Sequence, residues 1–133
     1  MTRIVLDTDV VSHYRAGRLP AAHRRLVTTN QHCIAFATAG ELWKGAQVQQ
    51  WGGVRRDALD LWLAREMILS AGLDVARVWG AITAGAGRRG RTRPLNDSWI
   101  AACCLESGLP LLTLNRRDFA EFTEHDGLVL VNG

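Results

Sequence analysis

Residues 3–11 read RIVLDTDVV, and the interpretation of the whole chain starts from this stretch. Three aliphatic residues in a row, Ile4 to Leu6, are typical of a short buried strand. Asp7 follows directly, so a carboxylate is expected where that strand ends. Asp9 is predicted to cap a helix that runs to Tyr14, because its side chain can accept from the free N–H groups of a first helical turn.

The alternation of strand and helix patterns continues to the end of the chain. Further strands are predicted at 32–37, 67–70, 109–114 and 128–131. Helices are predicted at 19–29, 38–50, 54–66, from 74 onward, 97–107 and 118–122. Since strands that alternate with helices pair in parallel, this order predicts an α/β sandwich with a parallel sheet. The glycine- and arginine-rich segment 84–94 is predicted to be a loop, and no linker or repeat divides residues 1–133, which we expect to form a single domain.

The composition is that of an ordinary globular protein. The chain has 133 residues, of which 47% are hydrophobic and 22% charged, enough for one core. No apolar run is long enough to span a membrane, and Asp7 comes too early for a signal peptide, so we expect a soluble cytoplasmic protein with no membrane partner. Cys33, Cys103 and Cys104 form no disulfide or zinc pattern and are expected to be buried thiols.

The charge is compatible with a nucleic acid but does not establish one. The net charge is +3, and Lys44 is the only lysine among 16 basic residues. A basic domain favours a polyanionic partner, whereas a bias of the genome toward arginine codons would give the same composition.

Four acids fall at equivalent positions of the predicted elements. Asp7 ends the first strand, and Asp118 comes four residues after the strand that ends at 114. Glu41 and Asp97 lie in the predicted first turns of two helices. Because the carboxyl ends of parallel strands and the following helix starts share one edge of a sheet, we expect these four acids to lie together.

Each of these acids also has a structural explanation. Asp7 could begin an Asx-turn, and residues 38–41 match a capping box. Asn96 could cap the helix that opens with Asp97, and Asn115 could cap the helix that contains Asp118. The coincidence of all four at one edge favours a functional site. Two carboxylates about 5 Å apart repel by roughly 3 kcal/mol at an effective dielectric near 20. Oxygen ligands favour Mg²⁺ or Mn²⁺, and such ions activate water against phosphodiesters.

Four segments resemble the motifs of PIN-domain ribonuclease toxins of the VapC-like family. They are residues 4–11 (IVLDTDVV), 38–45 (TAGELWKG), 94–102 (PLNDSWIAA) and 112–119 (LTLNRRDF). The likeness extends from residue 5 to residue 131, and the last two motifs are the most specific. It implies a three-layer α/β/α sandwich with a central, mostly parallel sheet.

The same resemblance implies the function. It implies a Mg²⁺- or Mn²⁺-dependent endoribonuclease that cleaves RNA by metal-activated water, as the toxin of a type II toxin–antitoxin pair. A VapB-like antitoxin and a homodimer are further implied partners. The residues carried over as catalytic and metal-binding are Asp7, Glu41, Asp97 and Asp118. Thr8 and Asn115 match positions that hydrogen-bond the acids or the metal's water. Some relatives carry an acid where Asn115 stands, so Asp118 would have to serve as the fourth acid here.

Arginines and tryptophans provide candidate surfaces for RNA and for the antitoxin. The candidate phosphate contacts are Arg88, Arg89, Arg91, Arg93, Arg116 and Arg117, although the first four could instead belong to a solvated loop. Trp79 and Trp99 are predicted to fill the core. Three further tryptophans either line a groove for an antitoxin peptide or pack in the core: Trp43, Trp51 and Trp62.

Two other functions fit parts of the pattern. In a haloacid-dehalogenase-like phosphatase, Asp7 would be the nucleophile and Asp9 the general acid/base. That family needs a later lysine and a downstream acidic pair, whereas Lys44 is the only lysine here. A non-catalytic binding module with a PIN fold is the second alternative, and the presence of all four acids argues against it.

Overall fold

A computed structural model describes residues 3–132 of the chain. Within them, the strands are Arg3–Leu6 (β1), Gln31–Ala35 (β2), Ile68–Leu69 (β3) and Leu111–Leu112 (β4). The α-helices are Thr8–Arg15 (α1), Ala21–Thr29 (α2), Phe36–Val48 (α3), Gly53–Ala64 (α4), Leu73–Arg88 (α5), Leu95–Ser107 (α6) and Ala120–His125 (α7). A 3-10 helix, Arg116–Phe119, precedes α7. In this described part of the chain, no helix has both the length and the apolar composition needed to span a bilayer.

The strands form one parallel sheet in the order β3-β2-β1-β4. In the centre, Val5 pairs with Cys33 of β2 on one side and with Leu111 of β4 on the other. Leu130 adds a single parallel bridge beyond β4. The parallel sheet is as predicted, but the predicted strand 109–114 pairs over two residues only, and the predicted strand 128–131 is reduced to this bridge.

Successive residues of the strands face two separate cores, because side chains alternate across a strand. Val5, Cys33 and Leu111 face the layer that contains α5, α6 and α7. Ile4 and Leu6 face the layer that contains α1 to α4. Helices therefore cover both faces of the sheet, which confirms the predicted three-layer sandwich.

Helix α6 is the most buried helix of the fold, as its apolar sequence predicts. Its residues from Ile100 to Cys104 are all buried against the sheet and α5. The three cysteines are buried and free, as expected. Burial raises the pKa of Cys103 to about 11, so this thiol stays protonated and acts as a small apolar side chain.

The helix starts differ from those expected. Asp7, not Asp9, caps α1. Helix α3 begins at Phe36, directly after β2, so residues 38–41 lie inside the helix and form no capping box. Helix α6 begins at Leu95 after Pro94, and Asn96 is therefore not a cap. Proline fits this position because its fixed φ suits a helix entry and no N–H is lost there.

The segment 84–94 is only partly a loop. Helix α5 continues to Arg88, and Gly85 and Ala86 are buried in it. Helix α5 packs against α6, and this contact outweighs the low helix propensity of its glycines.

We predict opposite effects for two glycine substitutions. Gly108 ends α6 in the left-handed region, at φ +70, where a Cβ is strained. Gly108→Ala should therefore lower the free energy of unfolding by about 1 kcal/mol. Gly80 lies in the middle of α5 with nothing within 4 Å of an added Cβ, so Gly80→Ala should raise it by about 0.5–1 kcal/mol. Urea unfolding curves with equal m-values measure both; shifts of the same sign would contradict the prediction.

Candidate active site

Asp7 joins three elements at the carboxyl edge of the sheet. It follows β1 and is 6% exposed. Its Oδ1 accepts from the backbone N–H of Thr8 at 2.8 Å, and its Oδ2 accepts from the Thr113 hydroxyl at 2.8 Å. Its own backbone N–H donates to the carbonyl of Leu112 at 2.9 Å. Asp7 is therefore fixed between β1, the start of α1 and the end of β4.

A pair of threonines links α1 to α3. The Thr8 hydroxyl donates to Glu41 Oε1 at 2.7 Å and lies 3.0 Å from Thr38 Oγ1. Thr38 is fully buried. Because α3 begins at Phe36, Glu41 lies in the second turn of α3 and not in the first turn as predicted. It is half-buried and held by Thr8.

Asn115 connects the segment after β4 to α1. Its side-chain amide donates to Asp9 Oδ2, and its backbone N–H donates to Thr113 Oγ1 at 3.0 Å. The PIN interpretation of the sequence did not include Asp9, Thr38 or Thr113 among the site residues, and Asp9 was a candidate only in the haloacid-dehalogenase-like alternative. The sequence does contain a signal for Thr113, because it is a polar residue at the end of an apolar strand, where a buried hydroxyl needs a hydrogen-bond partner.

Burial and mutual repulsion raise the pKa of two acids. Burial is the main cause that raises the pKa of Asp7 to about 6; hydrogen bonds from Thr113 and Thr8 oppose the rise, and the charges of Asp9 and Asp97 add to it. Asp97, the third residue of α6, is half-buried.

The pKa of Asp97 is raised to about 6, first by burial and then by the charges of Asp118 and Glu41. Arg93 acts in the opposite direction and lowers it. The four predicted acids therefore belong to one electrostatic cluster, together with Asp9.

The cluster is not a compact ligand set. Asp118 is exposed on the 3-10 helix, where it acts on Asp97 through its charge. Within residues 3–132, no three histidine, cysteine, aspartate or glutamate side chains are grouped closely enough to form a metal-binding set. The metal-binding role of the acids thus stays a prediction.

The predicted phosphate contacts occupy different surroundings. Arg93 lies near the acids, since its charge lowers the pKa of Asp97. Arg89 is paired with Glu121 of α7, and Arg88 is the last residue of α5. Arg116 donates to the carbonyl of Val131 at 3.0 Å, next to a groove of about 500 Å³ that Arg116 and Arg117 both line. Arg91 is exposed.

We predict that Asp7→Asn stabilises the metal-free protein above pH 6. The pKa of Asp7 rises from 3.8 to about 6 on folding, so the folded state holds this proton more tightly than the unfolded chain. Its contribution to stability is therefore lost as the pH rises from about 4 to about 6. Without the charge, asparagine can still accept from the Thr8 N–H and can donate its amide to the Thr113 hydroxyl, and the variant should gain up to about 3 kcal/mol at pH 7.5.

Urea unfolding of both proteins in a chelator, from pH 4 to pH 7.5, measures this difference. The gain should grow through the interval between pH 4 and pH 6. A gain that is independent of pH, or a loss at pH 7.5, would contradict the effect of burial on Asp7.

Comparisons with known proteins agree with this fold. The profile of the PIN domain matches residues 4–124. Ribonuclease VapC2 of Haemophilus influenzae is 28% identical over 120 residues, which cover 90% of this chain and 91% of that protein. The structure of VapBC-1 from nontypeable Haemophilus influenzae has a TM-score of 0.81 and 25% identity, with 98% of each chain covered. That of VapBC2 from Rickettsia felis, bound to a promoter DNA fragment, has a TM-score of 0.81 and 20% identity, with 99% of each chain covered.

The matched residues include all four acids and every strand of the sheet. They favour the PIN interpretation over the haloacid-dehalogenase-like alternative, since the motifs around Asp7 and Asp97 are matched within one family profile. The chain therefore belongs to the PIN-domain family, and within it resembles the VapC ribonucleases.

Proposed function

We propose that this protein is a Mg²⁺- or Mn²⁺-dependent endoribonuclease and the toxin of a type II toxin–antitoxin pair. The observation that carries the proposal is the group of acids at the carboxyl edge of the sheet, where burial, reinforced by neighbouring carboxylates, raises the pKa of both Asp7 and Asp97 to about 6. Its relatives include a protein named Ribonuclease VapC2, and the assignment of RNA as the substrate is based on that similarity.

The residues present fit a hard divalent cation. The four acids offer oxygen ligands only, which favours Mg²⁺ or Mn²⁺ over zinc. Burial and neighbouring charges disfavour the ionised forms of Asp7 and Asp97, and a nearby cation would reverse that effect. Bound there, the ion would supply an activated water and neutralise charge on the scissile phosphate.

The chain's own residues would arrange this chemistry. Asp7 and Asp97 would be the principal ligands, with Glu41 and Asp118 completing the site directly or through water. The hydroxyl of Thr113 and the backbone N–H of Thr8 fix both oxygens of Asp7. Such contacts restrict a ligand to one orientation before the substrate arrives, and this preorganisation lowers the cost of reaching the transition state.

Arginines beside the acids would hold the RNA backbone. Arg93 lies close enough to Asp97 to affect its pKa, and Arg116 and Arg117 line a neighbouring groove. Guanidinium groups bind phosphate oxygens through paired N–H donors, without reading the base. We propose Arg88, Arg89 and Arg91 as more distant contacts.

The VapB-like antitoxin would bind the outer face of α4. Val54 and Leu61 lie two turns apart on α4 and are 86% and 55% exposed, and Val48 at the end of α3 is also exposed. The guanidinium carbon of Arg55 lies 4.0 Å from the centroid of the Trp51 ring, and that of Arg15 lies 5.9 Å from the centroid of Trp62, so a cation lies over each ring. An exposed apolar helix face favours an amphipathic partner helix. The structural relatives named above are VapBC complexes. A homodimer and a cytoplasmic location stay predictions.

We predict that total RNA incubated with the protein is cleaved at a limited set of sites, and only when Mg²⁺ or Mn²⁺ is present. Asp97→Asn should lower the cleavage rate by more than about 100-fold, because even the loss of a residue that only supports a metal ligand costs about 10- to 100-fold. The measurement is a gel time course of cleavage products.

Asp57→Asn is the matched control, since Asp57 is an exposed acid of α4 outside the cluster. It should cleave like the wild type. Equal cleavage by the Asp97→Asn variant, or cleavage that persists in a chelator, would overturn the catalytic assignment. Complete inactivity of the wild type with either ion would favour the non-catalytic binding module.

A further inference from the structure

A groove of about 430 Å³ lies between the N-terminal parts of α3 and α6, next to the acid cluster. Its lining residues come from these two helices and are Phe36, Ala37, Gly40, Glu41, Lys44, Leu95, Asn96 and Trp99. Glu41 belongs to both the groove and the cluster, so the two are continuous. The volume is within the range of about 300–1,000 Å³ that is typical of sites for small organic ligands.

One wall of the groove is aromatic and rigid. The rings of Phe36 and Trp99 meet edge to face, with centroids 5.5 Å apart. Trp79 stacks behind Trp99 at 4.7 Å and holds its plane in place. Leu95, the first residue of α6, is 60% exposed at the rim. An apolar and aromatic wall of this kind suits the face of a planar ring, because stacking needs no specific hydrogen bonds.

Besides the carboxylate of Glu41, the groove carries the positive charge of Lys44. Lys44 is exposed and lies three residues after Glu41, so both side chains are on one face of α3. The N-terminal ends of α3 and α6 both face this region, and each contributes the partial positive charge of its helix dipole. A ligand with a planar apolar part and an anionic part therefore matches the groove.

We propose that this groove binds an unpaired nucleobase next to the scissile phosphate, with Lys44 on the adjacent phosphate. This inference rests on the proposed function and adds to it a subsite for the base beside the cleaved bond, formed by residues of α3 and α6. A base that is paired in a duplex stays stacked and cannot enter the groove, whereas an unpaired base is free to turn onto the aromatic wall. The groove lies beside the acids, where the nucleotide that flanks a cleaved bond has to be accommodated.

The closing experiment compares single-stranded and duplex RNA. A fluorescein-labelled RNA of mixed sequence, alone or annealed to its complement, is titrated with the Asp97→Asn protein in Mg²⁺, and binding is followed by fluorescence anisotropy. Added to this background, Leu95→Ala should weaken binding of the single strand about fivefold and leave the duplex unchanged. Leu73→Ala is the matched control: Leu73 is also the first residue of a helix and is 66% exposed, but lies outside the groove.

Lys44→Met tests the phosphate contact. The loss of one phosphate contact should weaken binding at low salt about threefold. It should also reduce the slope of the logarithm of the binding constant against the logarithm of the salt concentration by about one. Arg65→Met removes the same charge at an exposed position outside the groove and should have a smaller effect. Thermal unfolding by circular dichroism verifies that each variant is folded.

The outcomes separate this inference from the proposed function. If the wild type cleaves RNA while Leu95→Ala and Lys44→Met bind the single strand like the parent, the inference is wrong and the nuclease assignment stands. Equal weakening of single strand and duplex would also overturn it. If the wild type fails to cleave but the selective loss of single-strand binding is found, the groove assignment holds and the nuclease assignment fails. If the two variants bind RNA like the parent but a coexpressed VapB-like protein no longer copurifies with them, the groove binds a peptide and the inference is overturned.

Discussion

The hydrogen bond from Thr113 to Asp7 is the interaction on which the site depends. It joins residues 106 positions apart in the sequence and connects the central strand β1 to the segment that follows β4. With the backbone N–H of Thr8, it partly offsets the free energy that is needed to bury a carboxylate. The balance is still unfavourable for the charged form, since the pKa of Asp7 rises to about 6. The unfavourable free energy of the charged Asp7 arises at the centre of the structure. Neutralising the charge of Asp7 is therefore expected to stabilise the fold.

The other site residues follow from the same arrangement. Because parallel strands end at one edge, Asp7 at the end of β1 lies near the starts of α3 and α6. Thr8 then holds Glu41, and Asn115 holds Asp9, so the acids are positioned by polar neighbours. Protein sites commonly trade stability for preorganised charge in this way. In this protein, burial and the charges of neighbouring acids raise the pKa of both Asp7 and Asp97, so the grouping of the acids has a cost in stability.

The acid cluster adjoins the groove between α3 and α6, which offers an aromatic wall and Lys44. A second groove is lined by Arg116 and Arg117 together with apolar residues. The exposed apolar face of α4, where the antitoxin is proposed to bind, is a separate feature. Substrate and partner would then use different faces of the three-layer sandwich. Inhibition by the partner would need a segment that extends from α4 to the acids.

The sequence by itself determined the alternation of strands and helices, the parallel sheet, the buried α6 and the family motifs, because hydrophobic periodicity and motif spacing are local properties. It also placed four acids at helix starts and strand ends. Tertiary structure decided the rest. Helix α3 begins at Phe36, whose ring packs against Trp99, and the last predicted strand pairs only at Leu130. Thr38, Thr113 and Asp9 joined the site through partners about 30 or more than 100 residues away, and no local pattern encodes contacts at such separations.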